Sequence, residues 1–94
     1  MNTIISCVYI ITCLINDKRY IGCTKNLKIR YGIHIGELKR NNHYNVEMQK
    51  DFNMYGESMF FVEILEEIEF KQLRVKEKEY ITILKPEYNQ PIAK

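Results

Sequence analysis

Ninety-four residues, 46% of them hydrophobic and 28% charged, describe one compact domain over residues 1–94 that folds unaided, with no room for a second core. The longest apolar run, Ile4 to Ile15, is broken by Ser6, Tyr9 and Thr12, has no basic residues before it and falls short of the ~20 residues of a membrane span, so neither a signal peptide nor a membrane segment is expected. A net charge of +2 excludes a uniformly cationic protein, so any polyanion-binding surface must come from uneven placement of charge.

In chain order, Ser6 to Ile15 and Lys18 to Cys23 are rich in β-branched and aromatic residues and flank Asn16-Asp17, a pair that tolerates the positive φ of a tight turn. This predicts a β-hairpin in which Ile15 pairs with Lys18, Cys13 with Tyr20 and Ile11 with Gly22, placing Tyr9, Tyr20 and Gly22 on one face with open space at the glycine. A slip of one residue would separate the tyrosines. The odd count of three cysteines, Cys7, Cys13 and Cys23, has no C-x-x-C spacing, so buried reduced thiols in a reducing, intracellular compartment are expected.

Thr24 or Asn26 can cap a helix from Leu27 to Arg40 whose apolar stripe is Leu27, Tyr31, Ile35 and Leu38, with Arg30 and His34 on its flank where helix meets sheet. A second helix is expected over Val46 to Tyr55, capped by Asn45 and stopped by Gly56. Phe60 to Glu67 reads as a strand, and apolar residues on both of its faces suggest a central place in the sheet. The last helix, Lys71 to Leu84, ends before Pro86 and carries the stripe Leu73, Tyr80, Ile81 and Leu84. Glu77 falls within that stripe, where a bare carboxylate would be costly and therefore needs a partner or a cation; Glu79 lies round the helix and is second choice.

Charge is segregated along the chain. Lys18 to Arg40 holds seven basic residues against the single acid Glu37, interleaved with Tyr20, Tyr31 and His34, whereas Glu57 to Glu79 holds seven acids against four bases. The first block has the composition of a surface that meets a polyanion.

These residues together resemble the GIY-YIG endonuclease family. The first motif is degenerate here, Cys7-Val8-Tyr9, with cysteine in place of the usual glycine, while the second, Tyr20-Ile21-Gly22, is intact. The likeness continues through Lys25-Asn26-Leu27, Arg30 with His34, His43, Tyr55-Gly56, Leu65-Glu66-Glu67 and the ending Pro86-Glu87-Tyr88-Asn89. Glu77 stands four residues before Ile81 and nine before Pro86, which matches the family's metal-binding glutamate.

The resemblance implies an α+β fold, a small three-stranded antiparallel sheet flanked by helices, and a metal-dependent DNA endonuclease with catalytic residues Tyr9, Tyr20, Arg30, His34, Glu77 and Asn89. Glu77 would hold one Mg²⁺ or Mn²⁺, as a hard oxygen ligand with open water positions. Arg30 would bind phosphate oxygens bidentately. Tyr9 would deprotonate the attacking water with His34 as helper, because an ordinary phenol titrates near ~10. Tyr20 would hold water or phosphate, and Asn89 would fix the ends of the site by hydrogen bonds. Lys18, Lys25, Lys28, Arg30 and His43 are the expected nucleic-acid contacts, His43 from a solvent-exposed loop. With no attached recognition domain in view, sequence specificity is expected to be low unless a homodimer or separate partner supplies it. An inactive nucleic-acid-binding module on the same fold is the alternative, and a protein-interaction domain using the acidic block has little support.

Overall fold

A computed structural model of the protein describes residues 4–90. The hairpin consists of β1 (Cys7–Cys13) and β2 (Arg19–Thr24). All of β1 is buried except half-buried Thr12, and a strand without solvent on either face belongs at the centre. The sheet is accordingly three-stranded and antiparallel in the order β2-β1-β3, with β3 spanning Phe60–Glu67. This corrects the expected central place of Phe60–Glu67. It is an edge strand with Phe61 and Ile64 exposed: its apolar residues fall on both faces because Phe60–Phe61 and Ile64–Leu65 are adjacent apolar pairs, and Leu65 is an extra residue where the register shifts opposite Val8 and Tyr9.

The hairpin register also differs from the expected one, by two residues: Ile11 pairs with Tyr20 and Tyr9 with Gly22. The turn is wider than Asn16-Asp17. The Leu14 N–H bonds the Met59 carbonyl at 2.8 Å, the Cys13 N–H bonds the Lys18 carbonyl, and Asp17 alone takes a positive φ, of 60°. An even slip preserves the face, so Tyr9, Tyr20 and Gly22 stay together.

Helix α1 (Leu27–Lys39) starts at Asn26, whose side chain accepts the Ile29 N–H, and α2 (Val46–Tyr55) starts at Asn45, which accepts the Met48 N–H. Gly56 ends α2 with φ 88°, a conformation that a side chain would strain. A 3₁₀ turn at Phe70–Gln72 precedes α3 (Leu73–Leu84), so this helix begins two residues after the expected Lys71.

The sheet is covered on both faces. Tyr9, Ile11, Cys13 and Tyr20 pack with Leu38 of α1 and Met48 and Phe52 of α2, while Val8, Ile10 and Ile21 pack against Tyr80, Ile81 and Leu84 of α3. Cys7, in the motif position usual for glycine, is fully buried in regular strand pairing; positive φ outside glycine occurs, among the described residues, at Asp17, Asn41 and Lys85. Cys7, Cys13 and Cys23 are free thiols, the first two buried.

The outer edge of β2 is closed by the C-terminal segment. The Asn89 side chain accepts the Ile21 N–H at 2.7 Å and donates to the Ile21 carbonyl at 2.9 Å, pairing β2 as another strand would. Tyr88 donates its hydroxyl to the buried Asp51 carboxylate at 2.6 Å, and Asn45 donates to the Tyr88 carbonyl. Among the described residues no helix is long and apolar enough to cross a membrane.

Candidate active site

Tyr9 from β1, Tyr20 from β2, Arg30 from α1 and Glu77 from α3 line one cleft of about 370 Å³ at the β2 edge. Gly22 and Cys23 form its floor, and Tyr44 and Arg74 complete its walls. The sheet edge lets elements on opposite faces converge: Tyr9 and Arg30 reach it from the α1 side and Glu77 and Arg74 from α3.

Gly22 is required by close approach. The space expected to be open is filled by the Tyr9 phenol: a Cβ at residue 22 would stand 2.5 Å from Tyr9 Oη, 2.6 Å from Tyr9 Cζ and 3.1 Å from Tyr20 Cε1. Gly22→Ala must therefore displace Tyr9 from its partners. We expect a loss of about 1–3 kcal/mol in stability, measured by denaturant titration, together with loss of any activity that needs Tyr9.

Behind the cleft, hydrogen bonds fix the direction of a proton chain. The Asn45 backbone N–H can only donate, and at 3.0 Å it donates to His43 Nδ1, which leaves the proton of neutral His43 on Nε2. His43 Nε2 then donates to His34 Nδ1 at 2.7 Å, so neutral His34 carries its proton on Nε2 and donates it to Tyr9 Oη, also at 2.7 Å. His34 thus gives a hydrogen bond to the phenol instead of accepting its proton, and the Tyr9 O–H is free to point into the cleft.

Electrostatics hold this chain neutral. Burial, then the Arg30 charge and the cost of a second charge beside His43, push the His34 pKa down to about 3, and burial lowers that of His43. Burial drives Tyr9 up to about 12, against the lowering by the Arg30 guanidinium beside it. Tyr20 is also raised, by burial and by its hydrogen bond with the Tyr44 hydroxyl. Cys23 is held at about 11, first by burial and then by the Glu77 carboxylate, so it is an inert thiol and not a nucleophile.

The other expected residues lie outside the cleft. His34 is fully buried behind Tyr9. His43, expected on the surface, is only 6% exposed, sandwiched between His34 and Tyr44, and so is not placed to meet a phosphate. Asn89 acts on the backbone of Ile21, one residue from Gly22. Lys18 is paired with Glu47 at 2.6 Å and Lys25 lies 4.7 Å over the Phe70 ring, while Lys28 is exposed on α1.

Arg74, Tyr44 and Cys23 were not singled out as site residues in the sequence. Arg74 had a signal, since it precedes Glu77 by three and so shares its helix face. Tyr44 had none, because its place depends on contacts with His43 and Tyr20.

Among the described residues Glu77 is the sole carboxylate lining the cleft, and no group of three or more His, Cys, Asp or Glu could enclose a metal. This donor set suits a hard cation that keeps most of its waters, as Mg²⁺ does, and does not suit a tetrahedral zinc site.

The family model for the GIY-YIG catalytic domain matches residues 5–89. Intron-associated endonuclease 1 of Enterobacteria phage T4 is 32% identical over 72 residues, covering 77% of this chain and 29% of that protein, so the chain spans less than a third of this relative's length. The solved catalytic domain of homing endonuclease I-TevI superposes with a TM-score of 0.81 at 30% identity, covering 95% of this chain and 99% of that one. A mutant of the catalytic domain of intron endonuclease I-TevI superposes with a TM-score of 0.79, also at 30% identity, covering 86% of this chain and 84% of that one.

Proposed function

The chain belongs to the GIY-YIG catalytic-domain family, and from that premise we propose that it is a metal-dependent DNA endonuclease that hydrolyses phosphodiester bonds with low intrinsic sequence specificity. The observation that carries the reading is the convergence of Tyr9, Tyr20, Arg30 and Glu77, drawn from four separate elements, on one cleft.

Arg30 binds the phosphate through its planar fork of donors and neutralises part of its charge. Tyr9, once deprotonated, takes a proton from the attacking water. The adjacent guanidinium and the hydrogen bond donated by His34 both favour the phenolate, against burial. His34 is therefore a positioning residue that orients Tyr9 Oη, and His43 in turn fixes the tautomer of His34. Tyr20 holds its hydroxyl at the opposite wall, where it can bond water or a phosphate oxygen. Asn89 keeps the β2 edge, and with it Gly22, in place beneath Tyr9. A divalent cation at Glu77, Mg²⁺ or Mn²⁺, supplies positive charge for the developing charge on the phosphate and leaving oxygen.

Low specificity follows from the kind of groups present, since guanidiniums at a phosphate position the strand without reading its sequence. Arg74 extends this cationic wall on the α3 side. Arg74→Ala is expected to weaken DNA binding evenly across sequences and to reduce the salt slope of binding by about 1, measured by fluorescence anisotropy at several salt concentrations.

Supercoiled plasmid incubated with Mg²⁺, with Mn²⁺ or with EDTA tests the reading. Nicking in the metal samples alone is expected, and equal nicking in EDTA would contradict metal dependence. The alternative, a binding module without activity, rests on the degenerate first motif. The regular backbone at Cys7 and the intact placement of Tyr9 weigh against it.

A further inference from the structure

Tyr44 is the wall of the cleft that the proposed chemistry does not use. Its residue surface is 62% exposed, yet its ring is firmly placed. One face stacks on His43 with centroids 4.7 Å apart and planes at 22°, and His43 stacks in turn on His34 at 5.0 Å and 22°. Its hydroxyl is tied to that of Tyr20, whose ring meets it edge-on at 71°. A three-ring stack therefore rises from fully buried His34 and ends at Tyr44, one ring face of which is covered by His43 while most of the residue's surface stays exposed. An exposed aromatic fixed in this way loses little conformational freedom when something stacks on it.

The same cleft carries Arg30 and Arg74. A phosphate held by those guanidiniums brings a nucleoside on each side of it, and a flat, pre-ordered ring at the mouth matches the π-face common to all bases. We infer that the open face of Tyr44 is a stacking platform for a nucleobase adjoining the bound phosphate, so that the cleft takes DNA whose base there is unstacked, as in single strands, gaps and mismatches, in preference to intact duplex. In a duplex both faces of each base are occupied by its neighbours, and freeing one costs a few kcal/mol. The inference rests on the reading of this cleft as a DNA site and names the strand state it recognises.

Binding is measured in EDTA, so that no cutting is needed, with a mixed-sequence single-stranded oligonucleotide and its duplex, for wild type, Tyr44→Phe and Tyr44→Leu. Tyr44→Leu is expected to weaken single-strand binding by about 5- to 100-fold while Tyr44→Phe stays within about two-fold, with no change in salt slope. Equal binding by wild type and Tyr44→Leu overturns the inference. So does an equal loss in Tyr44→Phe, which would assign the effect to the hydroxyl, or a slope reduced by about 1, which would assign it to a phosphate contact. Photocrosslinking of wild type to oligonucleotides carrying iododeoxyuridine at successive positions gives a readout independent of variant folding: attachment at Tyr44 is expected, and attachment confined to other residues overturns the platform. If Tyr44→Leu loses single-strand binding but wild type never nicks plasmid, the platform stands and the nuclease reading fails. If wild type nicks and Tyr44→Leu binds normally, the reverse holds.

Discussion

Tyr9→Phe will lower the cleavage rate by about 10²- to 10⁴-fold, the usual worth of a positioned general base, and will cost about 1–3 kcal/mol of stability because the buried His34 Nε2–H loses its acceptor. The substitution keeps the buried ring and removes only the oxygen that joins His34 Nε2 to the cleft. With burial holding Tyr9 at about 12 in the free site, the phenolate fraction rises tenfold per pH unit throughout the neutral range. The wild-type rate should therefore climb with a slope near one on a logarithmic scale from roughly pH 6 to 9. No inflection is expected at the ordinary histidine pKa, because His34 is held at about 3 and stays neutral across that range. Single-turnover cleavage at a series of pH values provides the check. An inflection near the ordinary value of 6.5 that disappears in His34→Gln would transfer the base role to the imidazole.

Acid will unfold this protein earlier than its carboxylates alone would require. In the unfolded chain His34 takes up a proton as pH falls through its ordinary value of 6.5, whereas in the folded protein it resists protonation down to about 3. The unfolded state binds more protons over that window, so the stability present above 6.5 is lost progressively as pH drops toward 3. The full interval corresponds to about 4–5 kcal/mol, a large share of the stability of a small domain. His43, also lowered by burial, acts in the same direction. Urea titrations at about pH 7.5 and 4.5 should differ by roughly 2–3 kcal/mol from His34 alone. His34→Gln should show a smaller difference, whatever it loses at neutral pH. An equal acid dependence in that variant would assign the effect to other groups.

The parts of this architecture legible in the sequence depend on local periodicity. The caps and the stop at Gly56 lie within one turn of the helices they bound: Asn45 and Gly56 stand as expected, and of the two candidates Thr24 and Asn26 it is Asn26 that caps α1. The shared face of Tyr9, Tyr20 and Gly22 also held, because strand side chains alternate with a period of two and the register slipped by an even number. The register itself was not legible, since the turn widens where Leu14 bonds Met59, a residue far along the chain. The edge position of β3 was hidden for a similar reason: Phe61 and Ile64 give it the two-sided apolar pattern of a central strand, and that they are exposed depends on which strand lies between β2 and β3.

The site divides along the same line. Glu77 was readable from its place within a helix stripe and Arg30 from the flank of one, and both line the cleft. His43 was misread because its neighbours Asn41, Asn42, Tyr44 and Asn45 are those of a polar loop, while what buries it is a ring nine residues earlier and a backbone amide two residues later. The direction of the proton chain could not be read from residue types at all, since it depends on which His43 nitrogen the Asn45 amide meets.

Supercoiled plasmid presented to wild type and to Glu77→Gln, with nicking and DNA binding followed in the same Mg²⁺-containing samples, is the most direct trial of the cleft as a nuclease centre. Glu77→Gln keeps the shape of the side chain and removes its charge, so binding should persist while metal-dependent nicking is lost. Binding without nicking by the wild type, or nicking that survives unchanged in Glu77→Gln, would contradict the assignment.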